Sequence, residues 1–218
     1  MYGDIDRELT HRIAEIRENI DSISTQTPNP PVATPRYLNS QKGLIFVQLY
    51  GVIEYLVNQT VPRTASILTS ENLDISKLSP YVWSMVLESN LESLRTVNRK
   101  KWEHRHTMFK LIAEDSKAVV PEDVMPTNGL NITQHQLESI WKTYNIQEPV
   151  FDDLSFGLRL KDIVLNRNDI AHGNKTAAAV GAAFTVSDLY NRLNDVSTYC
   201  TYAIGVFENY ISNKDYLA

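Results

Sequence analysis

Apolar residues recur at steps of three and four along most of this chain, and no stretch alternates apolar and polar positions long enough to mark a strand. Residues 4–23 carry the first stripe, Ile5, Leu9, Ile13, Ile16, Ile20 and Ile23, with Arg7, Glu8, Glu15, Arg17 and Glu18 off it. STQTPNPPVATPR, residues 24–36, has four prolines and no periodicity, which predicts a loop. Residues 39–61 are apolar over most of a helical surface, through Leu44, Ile45, Phe46, Val47, Leu49, Tyr50, Val52, Ile53, Leu56 and Val57. That pattern predicts a central buried helix, ended or kinked at Pro62. Further along, the spacing predicts a short helix and turn over 63–77 and one long helix from about Ser79 to about Glu114. A loop over 115–131 follows, then a helix over 134–144 capped by Thr133 with Gln136. A helix over 154–173 and a last one from Thr185 or Ser187 to about residue 213 complete the series. The predicted fold is all-α, an antiparallel bundle of about six or seven helices. Its domains are read as 1–37, an N-terminal helix and proline-rich linker packed loosely or against a partner, and 38–218, the main helical domain.

Composition changes this picture little. The chain has 218 residues, 43% of them hydrophobic, enough for the core of one domain. The single Cys200 excludes an intrachain disulfide and a cysteine-rich metal site. It lies on the apolar face of the last helix with Leu189, Leu193, Val196, Ala203, Phe207 and Tyr210, and is expected as a buried thiol. No signal peptide is visible and no run reaches about 18 apolar residues, so a cytoplasmic location is expected.

Charge adds one contrast. The net charge of −5 argues against a general nucleic-acid coat protein. Yet RTVNRKKWEHRHTMFK, residues 95–110, holds six Lys or Arg, two His and one Glu. Arg95, Arg99, Trp102, His106 and Lys110 recur at three and four along the expected helix, with Lys100, Lys101 and Arg105 beside them. Two readings stand: a solvated face with Trp102 half-packed, or an RNA-facing wall with a ring for base stacking.

The segment with the most chemistry is LSFGLRLKDIVLNRNDIAHG, residues 154–173. Leu154, Leu158, Leu160, Ile163, Val164 and Ile170 are expected to pack on one side, with Gly173 stopping the helix. Arg167, Asn168, Asp169 and His172 then cluster near its end. Asn168 and His172, four apart, share a face, and Arg167 points to a neighbouring one. An Arg fork can hold two phosphate oxygens, and an imidazole, with a free pKa of about 6.5, can move a proton near neutrality. Together they suit a phosphodiester, with Asn168 orienting His172 or touching phosphate, and Asp169 ordering a dimer interface or pairing with Arg167. The competing reading is a helix cap, with Arg167 paired to an acid and His172 on carbonyls. Glu54 is a carboxylate inside an apolar helix, and either pairs structurally with Arg, Tyr or backbone or supports the site. The small-residue stretch NKTAAAVGAAFTV after Gly173 is expected as a mobile loop able to close over substrate, with Lys175 as a further RNA-binding cation.

His11, His104, His106 and His135 offer no recognised zinc spacing, so no metal and no cofactor is expected. RNA can be cleaved without one. Its 2′-OH attacks the adjacent phosphorus, which requires a base, an acid and a cation. One His172 supplies only one proton-transfer group, and a two-fold homodimer would bring two copies of Arg167 and His172 into one cleft.

Arg167–Asn168–Asp169–Ile170–Ala171–His172–Gly173 resembles the motif of HEPN domains: Arg, a polar residue, three intervening residues, then His. Over roughly residues 38–213 the arrangement resembles the RiboL-PSP-HEPN family. The resemblance implies an all-helical dimer and a metal-independent endoribonuclease. It implies a prokaryotic toxin or antiphage defence effector, restrained by an antitoxin or other neutralising protein. It implies Arg167 and His172 as catalytic, Asn168 as the supporting polar residue, and Glu54 as an interior carboxylate; with the reading of the residues themselves, Asp169 and Glu54 are the supporting pair. HEPN domains also include non-catalytic binding or assembly modules, which is the alternative. Some HEPN toxins carry a modifiable Tyr soon after the His, whereas Gly173, Asn174 and Lys175 stand here.

Overall fold

A computed structural model describes residues 1–96, 100–114, 116–127, 129 and 131–218. Among the described residues there are nine α-helices: α1 (Gly3–Gln26), α2 (Arg36–Ser70), α3 (Trp83–Val86), α4 (Glu88–Thr96), α5 (Lys101–Ala113), α6 (Gln134–Tyr144), α7 (Phe156–Ala171), α8 (Ala177–Ala182) and α9 (Val186–Ser212). Extended pairing there is limited to isolated bridges, Asp74 with Lys117 and Leu78 with Leu217. The fold is all-α, as the periodicity predicts. The chain forms two compact units: Met1–Asn58, Asn131–Gln134 and Pro149–Gly205 in the first, and Gln59–Leu130, His135–Glu148 and Val206–Ala218 in the second.

The first unit is built on α1, the N-terminal part of α2, α7 and most of α9. Cross-helix pairs fix its directions. Arg12 of α1 sits over the Tyr55 ring of α2, while Asn19 and Ser22 face Gln41 and Leu44 across a groove. Arg17 bonds Asn194, and Asp21 bonds Tyr190, of α9. Arg159 and Asp162 of α7 meet Asp195 and Arg192 of α9 at 2.8 and 2.6 Å. In each case one number rises as the other falls, so neighbouring helices run antiparallel. Ile5, Leu9, Ile16, Ile20 and Ile23 of α1 are buried, so this helix packs tightly inside the unit.

α8 corrects one expectation. The small-residue stretch after Gly173 is not a mobile loop. It is a helix lying against α2, with Ala178, Val180 and Gly181 buried and Thr176 capping it by accepting the Ala179 N–H. Small residues permit this close crossing: a Cβ on Gly43 would come 2.0 Å from the Ala177 carbonyl oxygen, and one on Gly181 would come 1.9 Å from that of Asn39. Lys42, also buried, donates to the Phe184 carbonyl at 2.7 Å and ties the end of α8 to α2.

The second unit is organised around Tyr144 of α6. Its ring meets Phe207 and Tyr210 edge-on, and its hydroxyl donates to the Val61 carbonyl at 3.2 Å. Two helix boundaries differ from expectation. α2 continues through Pro62 to Ser70, because Val61 before it and Ala65 and Leu68 beyond it are buried and hold the helix in place. The helix expected over 79–114 is broken into α3, α4 and α5. Lys100 adopts a left-handed backbone (φ 64°) at the start of α5, and neither α4 nor α5 has a buried residue to enforce one rod. These breaks, with α8, raise the helix count above six or seven.

One helix among the described residues, α2, is long and apolar enough to cross a membrane by length and composition, with an 18-residue window of mean hydropathy 1.2. In that window 56% is buried inside the protein, the pattern of a core helix. The apolar residues are interrupted by polar ones, which is why no continuous run stands out in the sequence.

Candidate active site

α7 begins after a turn in which Asp153 accepts from the backbone and hydroxyl of Ser155, and these bonds lower the Asp153 pKa. It ends at His172, whose backbone N–H donates to the Asn168 carbonyl at 2.9 Å. Gly173 follows at φ 72°, the left-handed conformation expected of a helix stop.

The core face of α7 is Phe156, Leu160, Ile163 and Val164. Leu154 and Leu158, expected on that face, are instead exposed, as is Leu165. At about 100° per residue Leu158 and Leu165 lie opposite Leu160, so they cannot share its burial. His172 falls on their side. Arg167 lies about 140° from it and leans toward the core.

That inward lean determines what holds Arg167. Its guanidinium carbon is 4.7 Å from the centroid of the Tyr50 ring, and Nη1 donates to Asn131 Oδ1 at 3.2 Å and to Asn168 Oδ1 at 3.0 Å. Nε and Nη2 make no hydrogen bond among the described residues. The Tyr50 hydroxyl accepts the Ile132 N–H at 2.9 Å, lies 3.4 Å from Asn131 Oδ1, and hydrogen-bonds the Glu54 carboxylate. A chain of contacts therefore runs from Glu54 through Tyr50 and Asn131 to Arg167 and Asn168. A cation over a ring and two accepting amides fix a guanidinium while three of its five N–H donors, on Nε and Nη2, make no hydrogen bond among the described residues.

Tyr50 and Asn131 are site residues that the sequence reading missed. Tyr50 sits four residues before Glu54, so the pair shares a helix face, and that spacing was a usable signal. Asn131 lies in a connection without periodicity and carries no comparable signal. Glu54 is half-buried, less enclosed than an all-round apolar helix suggests, and its partner is a tyrosine.

Asn168 and Asp169 take partners other than those first considered. The Asn168 side-chain oxygen serves Arg167, with His172 reached only through the backbone. Asp169 pairs with Lys175 at 2.7 Å and bonds Asn174, which holds its pKa below the ordinary carboxylate value. It fastens the turn after α7 and does not pair with Arg167. Lys175 is thereby engaged, although it remains largely exposed. The His172 imidazole is exposed and makes no hydrogen bond among the described residues, so it does not cap carbonyls.

The basic segment belongs to the second unit and the motif to the first. Arg95 pairs with Glu92, Lys100 with Glu103 and Lys110 with Glu114, all exposed. Lys101, Trp102, Arg105 and His106 are exposed on α5, and Arg99 lies outside the described residues. The expected single face from Arg95 to Lys110 is not one helix, since Lys100 takes a left-handed backbone at the start of α5. No three His, Cys, Asp or Glu side chains among the described residues come together as metal ligands would. Cys200 is buried, and burial pushes its thiol up to about 12, which leaves it protonated and unreactive.

Burial, opposed by the Ile132 N–H and reinforced by the nearby Glu54 carboxylate, pushes the Tyr50 hydroxyl up to about 12. A raised pKa means that the folded state prefers the protonated phenol. Stability from this group is complete below pH 10 and is lost as pH rises through about 12. A 13Cζ-tyrosine NMR titration, with Tyr50→Phe to assign the resonance, should place its midpoint near 12. A midpoint near the ordinary value of 10.0 would contradict the buried network.

An all-helical chain in which a helix ends on Arg, a polar residue, three more and His has the pattern of the HEPN class. The chain belongs to the RiboL-PSP-HEPN family, whose model matches residues 7–209, and HEPN domains are often ribonuclease effectors. The match begins within α1. No curated protein and no solved structure matches the chain.

Proposed function

We propose that this chain is a metal-independent endoribonuclease that works as a homodimer. The observation that carries the reading is that the end of α7 holds both an anchored guanidinium, whose Nε and Nη2 make no hydrogen bond among the described residues, and an exposed imidazole that makes none there either. Arg167 grips two phosphate oxygens through Nε and Nη2 and stabilises the charge of the phosphorane. One His172 takes the proton of the 2′-OH as its oxygen bonds to phosphorus. The bond from phosphorus to the 5′-oxygen breaks, and the second, protonated His172 gives that oxygen its proton. The products are a 2′,3′-cyclic phosphate and a 5′-hydroxyl, and solvent resets the two imidazoles. Asn168 and Tyr50 act as positioning residues for Arg167, with Glu54 and Asn131 supporting Tyr50. Asp169 supports the turn that carries His172.

The homodimer rests on the outward side of α7. Leu158 and Leu165 are 75% and 54% exposed there, on the side that ends in His172. A second copy covering this stripe about a two-fold axis draws both His172 side chains toward one crevice. Sedimentation should find the wild type dimeric, and Leu158→Asp with Leu165→Asp should give a folded monomer that no longer cleaves RNA. A wild type that cleaves RNA as a monomer contradicts the shared crevice.

The same reading makes the chain a prokaryotic toxin or antiphage defence effector with a neutralising partner. Wild type incubated with RNA in EDTA should cleave it. Failure to cleave any RNA while still binding RNA would favour the non-catalytic module.

A further inference from the structure

α5 presents aromatic rings to solvent. Trp102 and Phe109 are 67% and 62% exposed, while Met108, Leu111 and Ile112, on faces turned away from the two rings to different degrees, are half-buried. The two rings are seven positions apart, which places them within about 20° of one another around the helix and about 10.5 Å apart along it. Arg105 lies between them, its guanidinium 4.8 Å from the Trp102 ring, and the His106 ring is 6.3 Å from the same indole.

Charge singles out the same ridge. Residues 100–110 hold four Lys or Arg and one Glu, 4 − 1 = +3, in a chain whose total is −5. The Lys100–Glu103 and Lys110–Glu114 pairs are 3.5 Å long and exposed, so they contribute little and open readily to a phosphate. Lys101 has no ion-pair partner among the described residues.

From these observations we infer that α5 is a docking ridge for single-stranded RNA, with Trp102 and Phe109 each stacking one base, Arg105 holding phosphate between them, and Lys101 and Lys110 holding phosphates at either end. Flat rings flanked by cations recognise exposed base faces without regard to sequence. The ring spacing is about three times the roughly 3.4 Å rise of a stacked strand, so the two bases are not neighbours. A duplex hides its base faces and does not fit. An anionic bilayer would need a broad apolar face, and Met108, Leu111 and Ile112 are turned toward the protein. Only the choice of RNA rests on the nuclease reading; the stacking does not.

The test uses full-length protein carrying His172→Ala, in EDTA, with a fluorescent unstructured 12-nucleotide RNA read by anisotropy. Binding should weaken with salt, and the corresponding 12-base-pair duplex should bind much more weakly. Trp102→Ala and Phe109→Ala should each weaken binding about tenfold, and Trp102→Phe should retain most of it. Unchanged affinity in both alanine variants overturns the proposal, as does equal binding of the duplex. Binding to phosphatidylglycerol vesicles with none to RNA also overturns it. RNA bound through these rings by a wild type that never cleaves would sustain the ridge and sink the nuclease.

Discussion

Replacing His172 with Ala should lower metal-free RNA cleavage by about 10²–10⁴-fold, the range for loss of a general acid or base, and toward its upper end because a symmetric dimer loses both. The fold should not notice. His172 is exposed and makes no side-chain hydrogen bond among the described residues, so its removal should change stability by no more than about 0.5 kcal/mol. Arg167→Ala should cost about 10²–10³-fold through lost stabilisation of the phosphorane charge. Arg167→Lys keeps the charge but not the fork of donors, and should recover little of that loss. Single-turnover rates on one RNA, with circular dichroism melts in parallel, check all three. An unfolded His172→Ala protein or an undiminished rate would remove the imidazole from the mechanism.

The second large effect is on stability. In helix interiors Gly→Ala ordinarily stabilises by up to about 1 kcal/mol. At Gly43 and Gly181 the sign should reverse. A Cβ there would lie 2.0 and 1.9 Å from backbone oxygens of the helix it crosses, and backbone cannot swing away as a side chain can. Either substitution should cost about 3 kcal/mol or more, at the upper end of overpacking effects. Gly51→Ala and Gly205→Ala are the controls. They have open space at Cβ and should be neutral or mildly stabilising. Urea denaturation midpoints read all four. Equal midpoints would mean that α2 and α8 can part at little cost, and the close crossing would lose its structural meaning.

Periodicity made most of the fold legible. α6 spans Gln134–Tyr144, as the sequence spacing predicts, and α1, α7 and α9 were found to within a few residues, because each buries one long apolar face. The misses have physical causes. α4 and α5 have no fully buried residue among those described, so an apolar count could not tell one rod from two. α8 reads as a loop in sequence because small residues carry no stripe, and their role is visible only when α2 lies against them. Pro62 failed to end α2 because tertiary burial beyond it outweighs one missing hydrogen bond.

The site was half legible. Arg167, Asn168 and His172 stand out as a motif, and Gly173 marks the stop that exposes the imidazole. What anchors Arg167 did not stand out. Tyr50 reads as one more apolar residue of a core helix, and Asn131 comes from a connection far off in sequence. Leu158 and Leu165 were counted as packing residues or passed over, because an apolar side chain looks the same in sequence whether a core covers it or a second subunit would.

The account turns on the 2′-oxygen as the attacking group under control of His172. The direct measurement is mass spectrometry of the ends left in EDTA by wild type on one RNA and on the same RNA with a single 2′-deoxy residue at the cut. The account predicts a 2′,3′-cyclic phosphate and a 5′-hydroxyl from the first, and no cut at that position in the second. A 5′-phosphate product, or undiminished cutting beside the deoxy residue, would contradict it.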